Sequence, residues 1–188
     1  MSIAKTKLKG ILKEYKDEFD KRSMASRDAY IKNLRPGESI PTEGRIYNVD
    51  NHREYFSQRC IEIRAKADAV LDGEINAIRA KKSEAPTTEA VNAITLAAAR
   101  QNINKDDIDD LIRGFGNNYQ SYRSIQDLAQ SHHIEFFEDH PLAAQEQSLS
   151  DLKHSIDKYI GIDSADAGRV SGGYPSFLEM TIDSVIPD

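Results

Sequence analysis

Between Thr87 and Ile134 the sequence TTEAVNAITLAAARQNINKDDIDDLIRGFGNNYQSYRSIQDLAQSHHI writes three short helices in succession, each with its own start and stop. Thr87 or Thr88 can cap the first with its hydroxyl, Glu89 suits the positive end of the helix dipole, and Val91, Ile94 and Ala98 give a buried face. The run Leu96 to Ala99 is small-sided and allows close helix approach. Asn102 breaks this helix and Asn104 caps the next, whose first turns hold Asp106, Asp107, Asp109 and Asp110 above Ile108, Leu111, Ile112 and Phe115, with Gly116 as the stop. Asn118 opens the third, with Tyr119, Tyr122, Ile125, Leu128 and Ala129 on one side and His132, His133 and Ile134 at its close.

The first half of the chain carries longer stripes. Leu8, Leu12, Tyr15 and Phe19 alternate at four, three and four residues, and Tyr30, Ile31 and Leu34 renew the apolar face after a polar break at Lys21 to Ser23, where a kink or register change is expected. Arg35-Pro36-Gly37 ends this helix, and residues 36 to 51 read as a loop or short extended arm. A second helix runs from about Asn51 to Lys82. Phe56, Cys60, Ile63, Ala67 and Val70 keep the same alternation, after which Leu71, Ile75 and Ile78 shift the stripe by one position, as a straight helix drifts against a heptad. Two rods of about 45 Å each predict an antiparallel, coiled-coil-like hairpin with a thin core, to be covered by the C-terminal half or by a second subunit.

The boundaries follow from these signals: a hairpin arm over 1–85, a small helical bundle over 86–162, and a Gly-rich linker with an apolar docking tail over 163–188. The predicted fold class is all-α. Pro141 opens one more helix to about Ile160, with Leu149, Leu152 and Ile156 as its stripe, and Gly161 ends it. The segment from Ala167 to Pro175 is turn-rich, and the following tail, with Phe177, Leu178, Met180, Ile182, Val185 and Ile186, is too short for a domain. Such a tail docks either on the protein's own helices or on a partner.

Composition limits the chemistry. With 39% hydrophobic against 30% charged residues and no Trp, the 188-residue chain suits helices that each bury one stripe. Residues 1–35 carry ten Lys or Arg against five Asp or Glu; residues 36–85 carry eight against nine; residues 86–188 carry seven against seventeen. This polarity lets the cationic first helix and the anionic second half attract each other between subunits, or seek opposite charge on different partners. Overall acidity argues against general nucleic-acid binding, although Lys5, Lys7, Lys9, Lys13 and Lys16 could touch phosphate. No signal peptide and no apolar run near 18 residues are read, which points to a soluble, cytoplasmic protein without membrane contact.

No reaction centre is legible. Cys60, the one cysteine, falls on a helical stripe and reads as a packed hydrophobe. The aspartates from Asp106 lack the ligand spacing and central glycine of a calcium loop. His132, His133, Glu135, Glu138, Asp139 and His140 form the one cluster with metal-ligand chemistry, but adjacent histidines point different ways, and Phe136 and Phe137 suggest a docked segment with wet acids. Nucleophile elbows, zinc-protease helices and phosphate-cradling loops are missing. The reading is non-enzymatic, without catalytic or metal residues and without a cofactor.

The block Ala85-Pro86-Thr87-Thr88-Glu89-Ala90, followed by Asn102-Ile103-Asn104, Asp109-Asp110-Leu111-Ile112, Phe115-Gly116-Asn117-Asn118-Tyr119-Gln120 and Ile125-Gln126-Asp127-Leu128-Ala129, resembles a pattern in small virion-morphogenesis proteins of tailed phages infecting Gram-positive bacteria. The resemblance spans residues 53 to 134 and consists of helix caps and apolar spacings. It implies a head-assembly or other virion structural role with protein partners and no cofactor, in the host cytoplasm or the virion. Joined to the residue-level reading, this gives a structural or assembly protein that self-associates through Leu8, Leu12, Tyr15, Phe19, Phe56, Ile63, Val70, Ile75 and Ile78, with Phe177 and Leu178 on the docking tail. The alternative is an acidic inhibitor whose residues 104–139 occupy a basic, nucleic-acid-binding surface of a target. A third reading is a metal hydrolase using His132 to His140.

Overall fold

The computed structural model describes residues 2–32, 50–136, 139–160 and 174–186. The loop expected from Pro36 to residue 49, the Gly-rich linker up to residue 173, and Phe137 with Glu138 lie outside them. Seven α-helices and no strand occur among the described residues: α1 (Ile3–Lys32), α2 (Asp50–Lys82), α3 (Thr88–Ala98), α4 (Lys105–Phe115), α5 (Tyr119–Ser131), α6 (Pro141–Tyr159) and α7 (Tyr174–Val185). The fold is all-α. None of these helices is long and apolar enough to cross a membrane.

The chain divides into two compact units, Met1–Glu74 with Ser148–Asp188, and Ile75–Gln147. The division differs from boundaries at 85/86 and 162/163 because it falls within α2 and within α6, where no turn signal marks the sequence. In the first unit, α1 and α2 run antiparallel: Glu14 meets Lys66 and Arg59, while Tyr15 and Phe19 further along meet Phe56. Helix continuity extends through Lys21–Ser23. The buried line of α1 is Ala4, Leu8, Leu12 and Tyr15; that of α2 is Phe56, Cys60, Ile63, Ala67 and Leu71. Leu149, Leu152 and Ile156 of α6 with Ile160 just after it, and Leu178 and Ile182 of α7 with Ile186 just after it, complete this core. Each full burial of such a Leu or Ile contributes about 1.5–3 kcal/mol.

The apolar docking tail is a helix. Its four-residue apolar period, 178–182–186, gives one buried stripe, and α7 lies antiparallel on the first half of α1, with Asp183 bonded to Lys9 at 2.7–3.0 Å.

In the second unit the predicted caps hold the short helices. Thr87 accepts from the Ala90 amide, Asn118 accepts from Ser121, and Asn104 with Asp107 forms a reciprocal capping box. α3, α4 and α5 enclose a core of Ala97, Ile108, Ile125, Leu128 and Ala129, with Ile94, Leu111, Ile112 and Phe115 packed against it. His132 caps α5, and His133 adopts a left-handed φ of 58°, which turns the chain out of the helix.

Candidate interaction surfaces

The side chains that periodicity assigns to a partner are mostly inside the protein. Leu8, Leu12, Tyr15, Phe56, Ile63, Ile75, Ile78 and Leu178 are buried, Phe19 and Val70 are half-buried, and Phe177 is exposed. Within the first unit the chain's own α6 and α7 supply the neighbours that the stripes of α1 and α2 require. The seam also runs differently in detail. At its lower end it steps to Leu71 by the expected one-position shift, which leaves Val70 half-buried, but beyond Tyr15 it continues through two buried charged residues, Glu18 and Arg22, rather than through Phe19.

A polar rim frames this core. Glu14 accepts from Arg59 at 2.6 Å and from Lys66 at 2.8 Å, and these cations hold its carboxyl below the usual range. Arg59 also pairs with Glu62. Asp183 is likewise lowered by hydrogen bonding from Lys9. Arg22 stacks on Phe56, 4.6 Å from the ring centre. A groove of about 670 Å³ opens beside Leu12, lined by Lys9, Lys13 and Lys16 but also by Asp17, Asp20 and Glu179, so its charges cancel and it selects no ligand sign.

Asp68 is the strained member of the rim. One of its carboxylate oxygens is buried without a hydrogen bond, with the Lys153 ammonium 3.8 Å away and committed at 2.7 Å to Asp72. Burial, with help from Asp157, raises the Asp68 carboxyl above its usual value. A raised folded-state value means a contribution that favours the fold below the unfolded carboxyl pKa and is lost as pH rises through the folded one. Asp68→Asn is therefore expected to raise the thermal midpoint at neutral pH, by up to about 1 kcal/mol in stability. Its advantage should vanish below about pH 4, where both states are protonated; melts at the two pH values read this directly.

In the second unit the most elaborate polar site is His140, a buried residue that precedes α6. The Leu142 amide donates to its Nδ1 at 3.1 Å, so the ring proton sits on Nε2, which donates to the Gly116 carbonyl at 3.1 Å. Tyr119 and Tyr122 meet its ring edge-to-face at 5.3 and 5.0 Å. Neither nitrogen is left over for a metal. Among the described residues no group of three or more His, Cys, Asp or Glu is placed to hold a metal ion. Nearby, Glu146 accepts from Arg79 at 2.7 Å and Lys82 at 2.8 Å, which lowers its carboxyl and raises the Lys82 ammonium, and Lys82 also sits 4.5 Å over the Tyr119 ring.

A cavity of about 310 Å³ lies where α3 and α5 begin, against Thr87, Ala90, Asn118 and Ser121. The hydroxyl of Ser121 is buried and unbonded, but Glu89 lines the same space and both helix ends are already capped. The cavity offers no convergent set of donors. Cys60 is buried, and burial pushes its thiol up to about 11, the opposite of an activated nucleophile.

What remains outward is apolar in places. α3 exposes Val91 (47%) and Leu96 (68%), and α7 exposes Phe177 (48%) and Met180 (73%), three residues apart on one face. The Phe177 ring meets Tyr159 at 5.4 Å, which extends that patch. α4 instead turns Asp106, Asp109 and Asp110 to solvent. No protein family, curated protein or solved structure matches the chain.

Proposed function

We propose that this is a non-enzymatic structural or assembly protein acting through helical protein–protein contacts, in the setting of phage head morphogenesis or virion structure. One observation carries the reading: the described helices already build apolar cores within each unit, yet Leu96 and Val91 on α3 and Phe177 and Met180 on α7 stay in water. Phe177 and Met180, three residues apart, share one face of α7, and an exposed apolar patch of that kind marks a contact surface. The candidate contact surface is thus made of outward apolar side chains: those of α3 and α7, and also Ile3 and Met24 on α1 and Tyr55 and Ile61 on α2. Support for the virion setting is the resemblance over residues 53 to 134. The outward carboxylates of α4 favour one second reading, an acidic regulator that covers a basic surface on a target.

Light scattering coupled to size-exclusion chromatography tests the assembly reading. The expected result is a mass that climbs with concentration above 21.1 kDa. A compact monomer throughout the range would overturn it and leave the acidic regulator.

A further inference from the structure

We propose that His140 is an acid-sensitive latch: the joint it makes between the end of α4 and the start of α6 closes only around a neutral imidazole and opens when the ring takes a second proton. This holds whatever the protein assembles with. It also gives a role to the buried histidine of the His132 to His140 cluster, since His132 is half-buried and His133 exposed.

The hydrogen bonds fix the protonation state. A backbone amide can only donate, so the Leu142 N–H at 3.1 Å requires a lone pair on Nδ1, and the single ring proton stands on Nε2 against the Gly116 carbonyl at 3.1 Å. Imidazolium carries a proton on both nitrogens. The second one would point at the Leu142 N–H, donor against donor, where the residue is 5% exposed and little water can come between them.

The surroundings do not offset that repulsion. α6 presents its N-terminus, the positive end of a 19-residue helix. From α5, Tyr119 and Tyr122 stand edge-to-face against the ring at 5.3 and 5.0 Å, and phenols are uncharged at neutral and acid pH. Behind Tyr119, the Lys82 ammonium of α2 sits 4.5 Å from the ring centre, and Glu146 of α6 is committed to Arg79 and Lys82. Asp139, next to His140 in the chain, is exposed, and among the described residues no carboxylate pairs with the imidazole. From α4 comes the Gly116 carbonyl, which Nε2–H serves in either state.

An imidazole in an unfolded chain takes its second proton near about pH 6.5. A joint that needs the neutral ring contributes stability above that value and loses it as pH falls. The loss is local. What parts are the Leu142 amide and the Gly116 carbonyl, so the first turn of α6 leaves the end of α4 and bares Tyr119 and Tyr122, while the core around Ile108 and Ile125 stays closed.

Amide hydrogen exchange of the full chain from about pH 7.5 to about pH 5, corrected for the intrinsic effect of pH on each rate, is the test. Protection of the Leu142 amide is expected to fall by up to about tenfold per pH unit below about pH 6.5, while that of Ile125 in α5 holds. In His140→Asn, which keeps a capping acceptor and cannot charge in this range, Leu142 should start less protected and stay level. Ring-nitrogen NMR of the wild-type chain gives a reading that needs no variant: one proton on Nε2 at neutral pH, and a second arriving in step with the Leu142 exchange. Leu142 protection that is level across the range overturns the acid sensitivity, as does a fall that His140→Asn reproduces. A loss shared equally by Ile125 overturns the local latch.

Discussion

Leu178→Asp is expected to release α7 from α1 and leave a protein that associates non-specifically. Leu178, Ile182 and Ile186 are buried in the first unit, and their stripe faces the stretch of α1 that holds Leu8 and Leu12. A carboxylate at position 178 loses about 2–3 kcal/mol of apolar burial and adds the cost of an unpaired charge, so docking weakens by at least about 4 kcal/mol. The expected readouts are a fall in helix content of one short helix, proteolytic cleavage near residue 174, dye binding at uncovered apolar surface, and elution as aggregates. Met180→Asp is the control, because Met180 is on the outer face of the same helix. A Leu178→Asp protein with unchanged helicity and protease resistance would show that α7 does not seal α1.

The asymmetry between what was legible and what was not follows from the range of each signal. The starts of α3, α4 and α5 depend on side chains that reach their own backbone three residues on, and Thr87, Asn104 and Asn118 each do so. Such information is local, so the sequence holds it. The stripes of α1 and α2 are legible as buried, but periodicity does not say against what. Their answers come from far along the chain: Tyr15 donates to the Tyr159 carbonyl across 144 residues, and Lys9 reaches Asp183 across 174. For Leu8 and Ile63 the sequence leaves the C-terminal half and a second subunit as equal covers, because the choice depends on that missing range. The buried pair Glu18 and Arg22 ran against the pattern altogether, since a hydrophobic stripe predicts Phe19 in their place. The faces of α3 differ from expectation: Ala90 and Ala97 are buried where the spacing predicts Val91 and Ala98, which are exposed, and the solvent exposure of Leu96 needed the fold.

His140 shows the same limit at one residue, and its replacement gives the second large effect. In sequence it belongs to a cluster with metal-ligand chemistry; the signal for its other role was Pro141, which favours the first position of a helix and makes the preceding residue the cap. In the structure the His140 carbonyl accepts the first α6 amides, from Ala143 at 2.8 Å and Ala144 at 3.2 Å, while its ring takes the Leu142 amide and holds the Gly116 carbonyl at the end of α4. One side chain thus ties a helix end to a helix start inside the second unit. His140→Ala removes both ring hydrogen bonds, strands two buried backbone groups and opens a gap beneath Tyr119 and Tyr122. Each stranded group costs about 1–3 kcal/mol, so the loss should total about 3 kcal/mol or more in urea unfolding. His140→Asn restores a capping acceptor but not the reach to Gly116, and should recover about 1 kcal/mol of it. Because both nitrogens are engaged in the folded protein, zinc should leave the wild-type melting temperature unchanged. A rise in melting temperature with zinc that His140→Ala abolishes would make this residue a ligand instead of a latch.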